Sequence, residues 1–367
     1  RNLRLVEGIM EPKIFSDPYD IPEQPNEADW LIDKLIPLNG ASELAAPPGT
    51  GKSHLVASLA NTIANQQDNW FGFKANPDAF KERGKVFWIS AEIDEPEEGR
   101  QIVGNVIDGY MGEYVSPDLR IFHASNRKLF ALNEVETKTS RGELVTTYHV
   151  EQMPLCDILM QQFQNHPPEL VIIDSTTGLI SGMSRPDQEA GLAVATAINQ
   201  WAKAINCPVL TVAHCNEASS SWPLSRRLGY SARAGTAGVP GGYTATFSMT
   251  QVDEEDVTSR KQMSVDPAKR NLIALGQSKI RRGAARFDQY HPIIFEKVGG
   301  KILLATDDTD LLAKKDDDKN DGSSGSGNKG KSSGSGNSRD SGGGNGSGNG
   351  SEKKKSDDEA LAEIGYT

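Results

Sequence analysis

Between Ala46 and Ser53 the chain reads Ala-Pro-Pro-Gly-Thr-Gly-Lys-Ser, and a helical apolar pattern over Lys52–Gln66 overlaps its end. Proline and glycine are poor helix formers, so placing them against a helix start calls for a reason other than helix formation. Polyphosphate binding supplies one. Backbone N–H groups must turn inward around phosphate oxygens, and Gly49 and Gly51 permit that path without a Cβ clash. The unpaired donors and positive dipole end of the helix add to the attraction. In this pattern Lys52 reaches the β- and γ-phosphates, and the Ser53 hydroxyl takes a Mg²⁺ coordination position. Pro48, Gly49, Thr50, Gly51, Lys52, Ser53 and His54 are therefore expected to hold ATP. The plainer alternative is a Gly/Pro turn that happens to precede a helix. A short strand expected at Glu43–Ala46 argues against it, because strand, loop and helix is the order the cradle needs.

Hydrolysis needs more than a cradle: a carboxylate to organise the metal and a group to act on water. Asp174 ends the run Leu-Val-Ile-Ile-Asp, which would deliver its carboxylate to the C-terminal edge of a sheet beside the loop. It is the expected ligand of Mg²⁺ through water, with a strand-capping Asp as the alternative. Glu92 ends Val-Phe-Trp-Ile-Ser-Ala-Glu and is read as the general base. Asp94, Glu95, Glu97 and Glu98 follow closely, so an acidic loop without a catalytic role competes with that reading. His214 ends Val-Leu-Thr-Val-Ala-His, where it would sense the γ-phosphate or simply pack as a partly buried histidine. None of the six histidines falls at metal-ligand spacing from a cysteine.

These groups meet only if the strands that carry them run side by side in one direction. The apolar runs Lys85–Glu92, Glu169–Asp174 and Pro208–Ala213 read as strands covered on both faces, with Arg120–Ala124 as another. Helices are expected over Pro96–Met111, Val150–Asn165 and Asp187–Ile205 between them. Strands alternating with helices imply a parallel sheet with right-handed crossovers. After Gly242 the pattern changes to short strands at Tyr243–Gln251, Asn271–Lys279, His291–Glu296 and Lys301–Ala305, expected as hairpins on the sheet edge. The fold class is thus α/β: a parallel sheet flanked by helices, with C-terminal antiparallel hairpin strands.

Composition sets the limits. Hydrophobic residues are 37% of the 367, a low share that a strongly polar end explains. From about Asp316 the chain is dominated by Gly, Ser, Asn and charge, which cannot offset its ordering entropy. The expected division is an extended arm over 1–27, an ATPase domain over 28–306, and a disordered linker with an acidic tip over 307–367. Net charge is −11 from 39 basic and 50 acidic residues, so a surface that coats nucleic acid as a whole is excluded and any contact must be local. Cys156, Cys207 and Cys215 show no CxxC spacing and are expected as buried free thiols in a reducing compartment. Neither a signal peptide nor an apolar run long enough to span a bilayer is seen, so a cytoplasmic protein without membrane contact is expected. The start at Arg1 rather than Met is read as a trimmed amino terminus.

The phosphate loop, the glutamate after the next strand, Leu-Val-Ile-Ile-Asp and Val-Leu-Thr-Val-Ala-His occur in the order of the RecA-like ATPases, which the chain resembles over roughly Ala28–Lys297. More narrowly, Ala28–Pro37 before the loop, then Val-Phe-Trp-Ile-Ser-Ala-Glu, is similar to hexameric replicative helicases of the plasmid RepA type and their phage relatives. That resemblance implies a RecA-like fold and a ring, with ATP between subunits and basic residues supplied by the neighbour. Ser278-Lys-Ile-Arg-Arg282 resembles the Lys-x-Arg on a late strand that does this, making Lys279 and Arg281 the trans pair, or Arg282 if the register is off by one. A guanidinium there would stabilise charge on the transferring phosphoryl group, while a solvated basic turn is the alternative.

The segment after His214 is long and rich in Ser, Gly and Arg, and such loops are functional or disordered. The family implies that it and the loop after Asp174 face a channel and grip single-stranded DNA. Arg185, Arg226, Arg227 and Arg233 are then the DNA-binding candidates, with Arg233 alternatively aimed at the neighbour's nucleotide. The loop starts at Ala46, which leaves little room before it for an amino-terminal primase or collar domain. The resemblance thus implies a ring-forming, ATP-driven motor on single-stranded DNA in a bacterial cell, phage- or plasmid-encoded. The acidic tail tip would dock on replication proteins or merely solubilise. A filament-forming recombinase and a regulatory ATPase acting on protein partners are the other readings.

Overall fold

The computed structural model describes residues 30–76, 85–93, 102, 104, 116, 118–124, 127–182, 188–215, 219, 221–229, 241–253, 256, 271–280, 287–298 and 301–305. The helix expected over Pro96–Met111, the arm over 1–27 and the tail over 307–367 lie outside the described residues, apart from positions 102 and 104. In chain order the strands are β1 (Trp30–Ile32), β2 (Ile36–Pro37), β3 (Ala41–Ala46), β4 (Asn69–Trp70), β5 (Phe73–Lys74), β6 (Val86–Ser90), β7 (Leu119–His123), β8 (Phe130–Lys138) and β9 (Leu144–Gln152). They continue with β10 (Leu170–Asp174), β11 (Ile180–Ser181), β12 (Val209–His214), β13 (Ala245–Gln251), β14 (Leu272–Ile280), β15 (Ile293–Val298) and β16 (Lys301–Leu304). The α-helices are α1 (Lys52–Ala64), α2 (Pro154–Asn165), α3 (Gln188–Ala204) and α4 (Leu224–Leu228).

One nine-stranded sheet, ordered β16-β15-β14-β13-β3-β12-β10-β6-β7, carries the fold. From β13 to β7 every pairing is parallel. β14, β15 and β16 extend it antiparallel beyond β13. This is the RecA-like arrangement expected from the sequence, with one refinement: the first of the late strands, β13, pairs antiparallel with β14 on one side and joins β3 in parallel on the other. β12 lies between β3 and β10, so the strand leading into the phosphate loop and the strand ending in Asp174 are separated by the one ending in His214.

The central strands are buried on both faces, as their unbroken apolar runs require. Alternation sorts their side chains. Leu170 and Ile172 join Leu44, Trp88 and Val212 against Leu55, Val56, Leu59 and Ile63 of α1. Val171 and Ile173 face the other way, with Ile89 and Val209, onto Leu155, Leu159 and Phe163 of α2 and Val194, Ile198 and Trp201 of α3. Cys156, Cys207 and Cys215 are buried thiols, none in a disulfide, as expected. Among the described residues no helix is long and apolar enough to cross a membrane.

A second sheet was not expected. β8 and β9 pair antiparallel over their full length, and β11 adds in parallel to the start of β8. Only the base of this hairpin is buried, through Phe130 and Leu132; Asn133–Lys138 is exposed. Its strands are mostly Thr, Glu and other polar residues, so neither carries the apolar run that marked the core strands. The helix expected from Val150 starts instead at Pro154, because Val150–Gln152 belong to β9 and Pro154 takes the first helical position.

Trp201 is fully buried, with ring centroids of Phe130 and Phe163 each 6.3 Å away, so it joins the hairpin base, α2 and α3. Trp201→Ala is expected to cost about 3–5 kcal/mol of unfolding free energy, measured by urea denaturation. A loss below about 1 kcal/mol would mean that this contact does not tie the layers together.

Candidate nucleotide site

The loop leaves β3 and enters α1 through two left-handed glycines, Gly49 at φ 74° and Gly51 at φ 102°. Gly51 is the N-cap residue of α1, no side chain caps the helix start, and no acidic residue lies in its first turn. The first N–H groups of the helix are thus left to an outside acceptor. The Thr50 hydroxyl donates to the Pro47 carbonyl at 2.8 Å and braces the loop from within.

Lys52, His214 and Glu92 form a hydrogen-bonded chain at the C-terminal edge of the sheet. Lys52 Nζ lies 3.3 Å from His214 Nδ1, and His214 Nε2 lies 2.8 Å from Glu92 Oε1. An ammonium only donates, so Nδ1 accepts and Nε2 carries the hydrogen given to Glu92. Glu92 itself stands two residues beyond the end of β6, further out than the sequence placed it; its N–H and that of Ile93 donate to Ser90 Oγ at 3.1 and 2.9 Å. The His214 hydrogen bond is the main reason that the Glu92 carboxyl is held down at about 2, against the opposing effect of burial.

Asp174 ends β10 as expected and is 1% exposed. Burial first, and then the charge of Glu92, push its carboxyl up to about 7, while Lys52 pulls the other way. Lys52 is lowered by burial, with Glu92 and Asp174 both opposing that shift. Among the described residues, Asp174 Oδ1 is buried without a hydrogen-bond partner. An orphaned carboxylate oxygen next to a helix headed by the Ser53 hydroxyl is a donor set that fits Mg²⁺, which takes one or two protein oxygens and keeps its waters.

The remaining expected residues divide three ways. His54 follows Ser53 in the first turn of α1, half-buried. Lys279 is on β14, where its Nζ donates to the Gly241 carbonyl at 3.3 Å. Register places it at the level of Glu43, through Thr246, hence toward the end of β3 away from the phosphate loop. Arg185, Arg233, Arg281 and Arg282 lie outside the described residues. Arg226 is exposed and stacks on Trp222, its guanidinium carbon 3.9 Å from the ring centroid. Arg227 is the correction. It is 5% exposed, donates to the Gln251 carbonyl at 2.9 Å and to Asp253 at 2.7 Å, and pairs with Asp256. A guanidinium already held by two carboxylates is not available to a DNA phosphate; Arg227 fastens α4 to the end of β13. Sequence reading also passed over Trp222 and over Lys297, which lies against Gly51 from β15. Neither sits in a spacing that marks a site.

Asp174 holds its proton more tightly when folded than when unfolded, so stability falls as pH rises from about 4 to about 7. Asp174→Asn removes that titration. Without nucleotide or Mg²⁺, this variant is expected to melt about 3 °C or more above the wild type at pH 8, with the gap closing toward pH 4. A variant that melts lower than wild type at pH 8 would contradict a costly buried charge.

A model of the AAA domain family matches residues 11–220. Comparison with curated proteins gives no match. Among solved structures, the ATPase domain of G40P matches at a TM-score of 0.45 and 10% sequence identity, covering 73% of this chain and 85% of that chain. That likeness is too distant to carry residue roles across. The family match spans more than half of the sequence and includes the phosphate loop, Glu92, Asp174 and His214; the chain belongs to the AAA domain family and is a P-loop ATPase of RecA-like topology.

Proposed function

We propose that this chain is an ATP-hydrolysing motor that forms a ring, hexameric by the resemblance in its sequence, and moves along single-stranded DNA as a phage- or plasmid-type replicative helicase in a bacterial cytoplasm. The observation that carries the hydrolytic part is the chain Lys52–His214–Glu92 beside the buried Asp174, on neighbouring strands of one sheet edge.

In this reading the loop N–H groups and Lys52 hold the β- and γ-phosphates. Ser53 would hold Mg²⁺ directly and Asp174 would hold it through water; the ion would supply charge neutralisation for the phosphates and favour the ionised form of Asp174. Glu92 is the general base, yet a carboxyl held near 2 is a poor one while His214 donates to it. A γ-phosphate arriving at Lys52 competes for the donors that now meet His214 Nδ1. His214 is then the sensor: its movement releases Glu92 to take a proton from water. Lys279 is too far along the sheet edge to serve its own phosphate loop, which supports its action, with Arg281 or Arg282, on a neighbour's nucleotide. Arg226, with Arg185 and Arg233, grips DNA phosphates, and the Trp222 ring beneath Arg226 offers a base-stacking face. The tail over 307–367 is the tether through which replication proteins would be met.

Steady-state ATP hydrolysis with and without single-stranded DNA tests this directly, with Lys52→Ala as the blank, about 10²-fold or more below wild type. Stimulation by DNA that weakens with added salt is the expected result. Turnover indifferent to DNA would leave an ATPase and remove the helicase, pointing instead to protein partners.

A further inference from the structure

The order of the sheet gives the nucleotide a direction. Beyond the loop and Lys52, the groups assigned to the γ-phosphate stand on one side of β3: His214 on β12, Asp174 on β10 and Glu92 after β6. An extended triphosphate whose γ end points that way has its α-phosphate and nucleoside on the other side, toward β13, β14 and β15. There the end of β15 rises to the level of the loop. Glu296 pairs with Leu272, and the Lys297 N–H donates to the Asn271 carbonyl, so Lys297 stands just beyond the β14 start. β16 returns beside it, with Lys297 opposite Ile302.

Side chains from these strands lie directly against Gly51. A Cβ built there would meet Ile302 Cδ1 at 3.6 Å, Ile273 Cδ1 at 3.7 Å and Lys297 Cδ at 3.8 Å. The lysine stem thus packs on the loop that cradles phosphate, and its ammonium lies within one methylene and the terminal nitrogen of that contact. Lys297 is half-buried, and among the described residues no carboxylate pairs with it. On α1 the residue turned toward this side is His54, two positions and about 200° around the helix from Lys52.

We propose that Lys297 is a nucleotide-binding residue supplied in cis by the C-terminal hairpin, its ammonium meeting the α-phosphate end of ATP or ADP. The assignment rests on the nucleotide-site reading and adds an element that lies outside the stretch matched by the family model. It carries a specific kinetic signature. ADP and ATP share the α-phosphate, so losing the charge should weaken both equally and leave the chemical step alone.

The test is calorimetric titration of the full chain with Mg-ADP, paired with KM and kcat for ATP. Lys297→Met keeps much of the stem that packs on Gly51 and removes the charge. It is expected to weaken ADP binding about tenfold, the lower end for a hydrogen bond to a charged group, and to raise KM by a similar factor with kcat unchanged. Lys297→Arg should recover most of the affinity. Lys297→Gln replaces the Met variant if thermal melting shows that variant misfolded. A folded, charge-free variant that binds ADP like wild type overturns the proposal. So does a fall in kcat at unchanged ADP affinity, which would put the residue at the γ end. Should folded wild type fail to bind ADP at all, the nucleotide-site reading fails and takes this proposal with it.

Discussion

The ammonium of Lys52 is the charge around which the site is arranged. It is buried at the start of α1 and is kept there by two carboxylates, Asp174 and Glu92, neither of which would be comfortable without it. Burying one cation against two anions leaves an excess of negative charge, and the Asp174 carboxyl, raised first by its burial and then by Glu92, is where that excess is felt. A phosphate-bound Mg²⁺, as proposed, would relieve the same excess. This imbalance is matched to what the site is proposed to receive, at some expense in stability.

The interposed strand β12 makes this arrangement possible. Without it Asp174 would lie on the strand next to β3, and no side chain would stand between Lys52 and Glu92. With it, His214 bridges the two, one nitrogen to each. The sheet also separates residue types by side: the parallel half carries Asp174, His214 and Glu92, the groups proposed to act on the γ-phosphate, while the antiparallel strands carry basic residues at both levels, Lys297 beside the loop and Lys279 farther down the edge.

The phosphate loop was legible because its composition contradicts its neighbourhood: two prolines and two glycines oppose the helix that begins there, and a cradle of backbone N–H groups requires them. Asp174 was legible for a similar reason, a charge at the end of an apolar run. The bond between His214 and Glu92 was not, since the partners are 122 positions apart and no local spacing encodes the order of strands. The β8–β9 hairpin escaped because a strand exposed on both faces has no apolar signature to find. Arg227 misled for the opposite reason. It sits in a basic, loop-like stretch, and only the return of Asp253 and Asp256 to its side shows it to be internal.

The place of β3 in the sheet has a consequence for how the chain is made. Both of its neighbours come late: β12 begins at Val209 and β13 at Ala245. On a ribosome that delivers the chain from its amino end, β3 emerges with no strand of its sheet to pair with until synthesis reaches Val209. Pairings between such distant segments are slow to form, and the uncovered edges can pair wrongly in the meantime. The segment that defines the ATPase is therefore synthesised well before the two strands that frame it, and its ability to grasp a nucleotide marks the close of folding rather than its start.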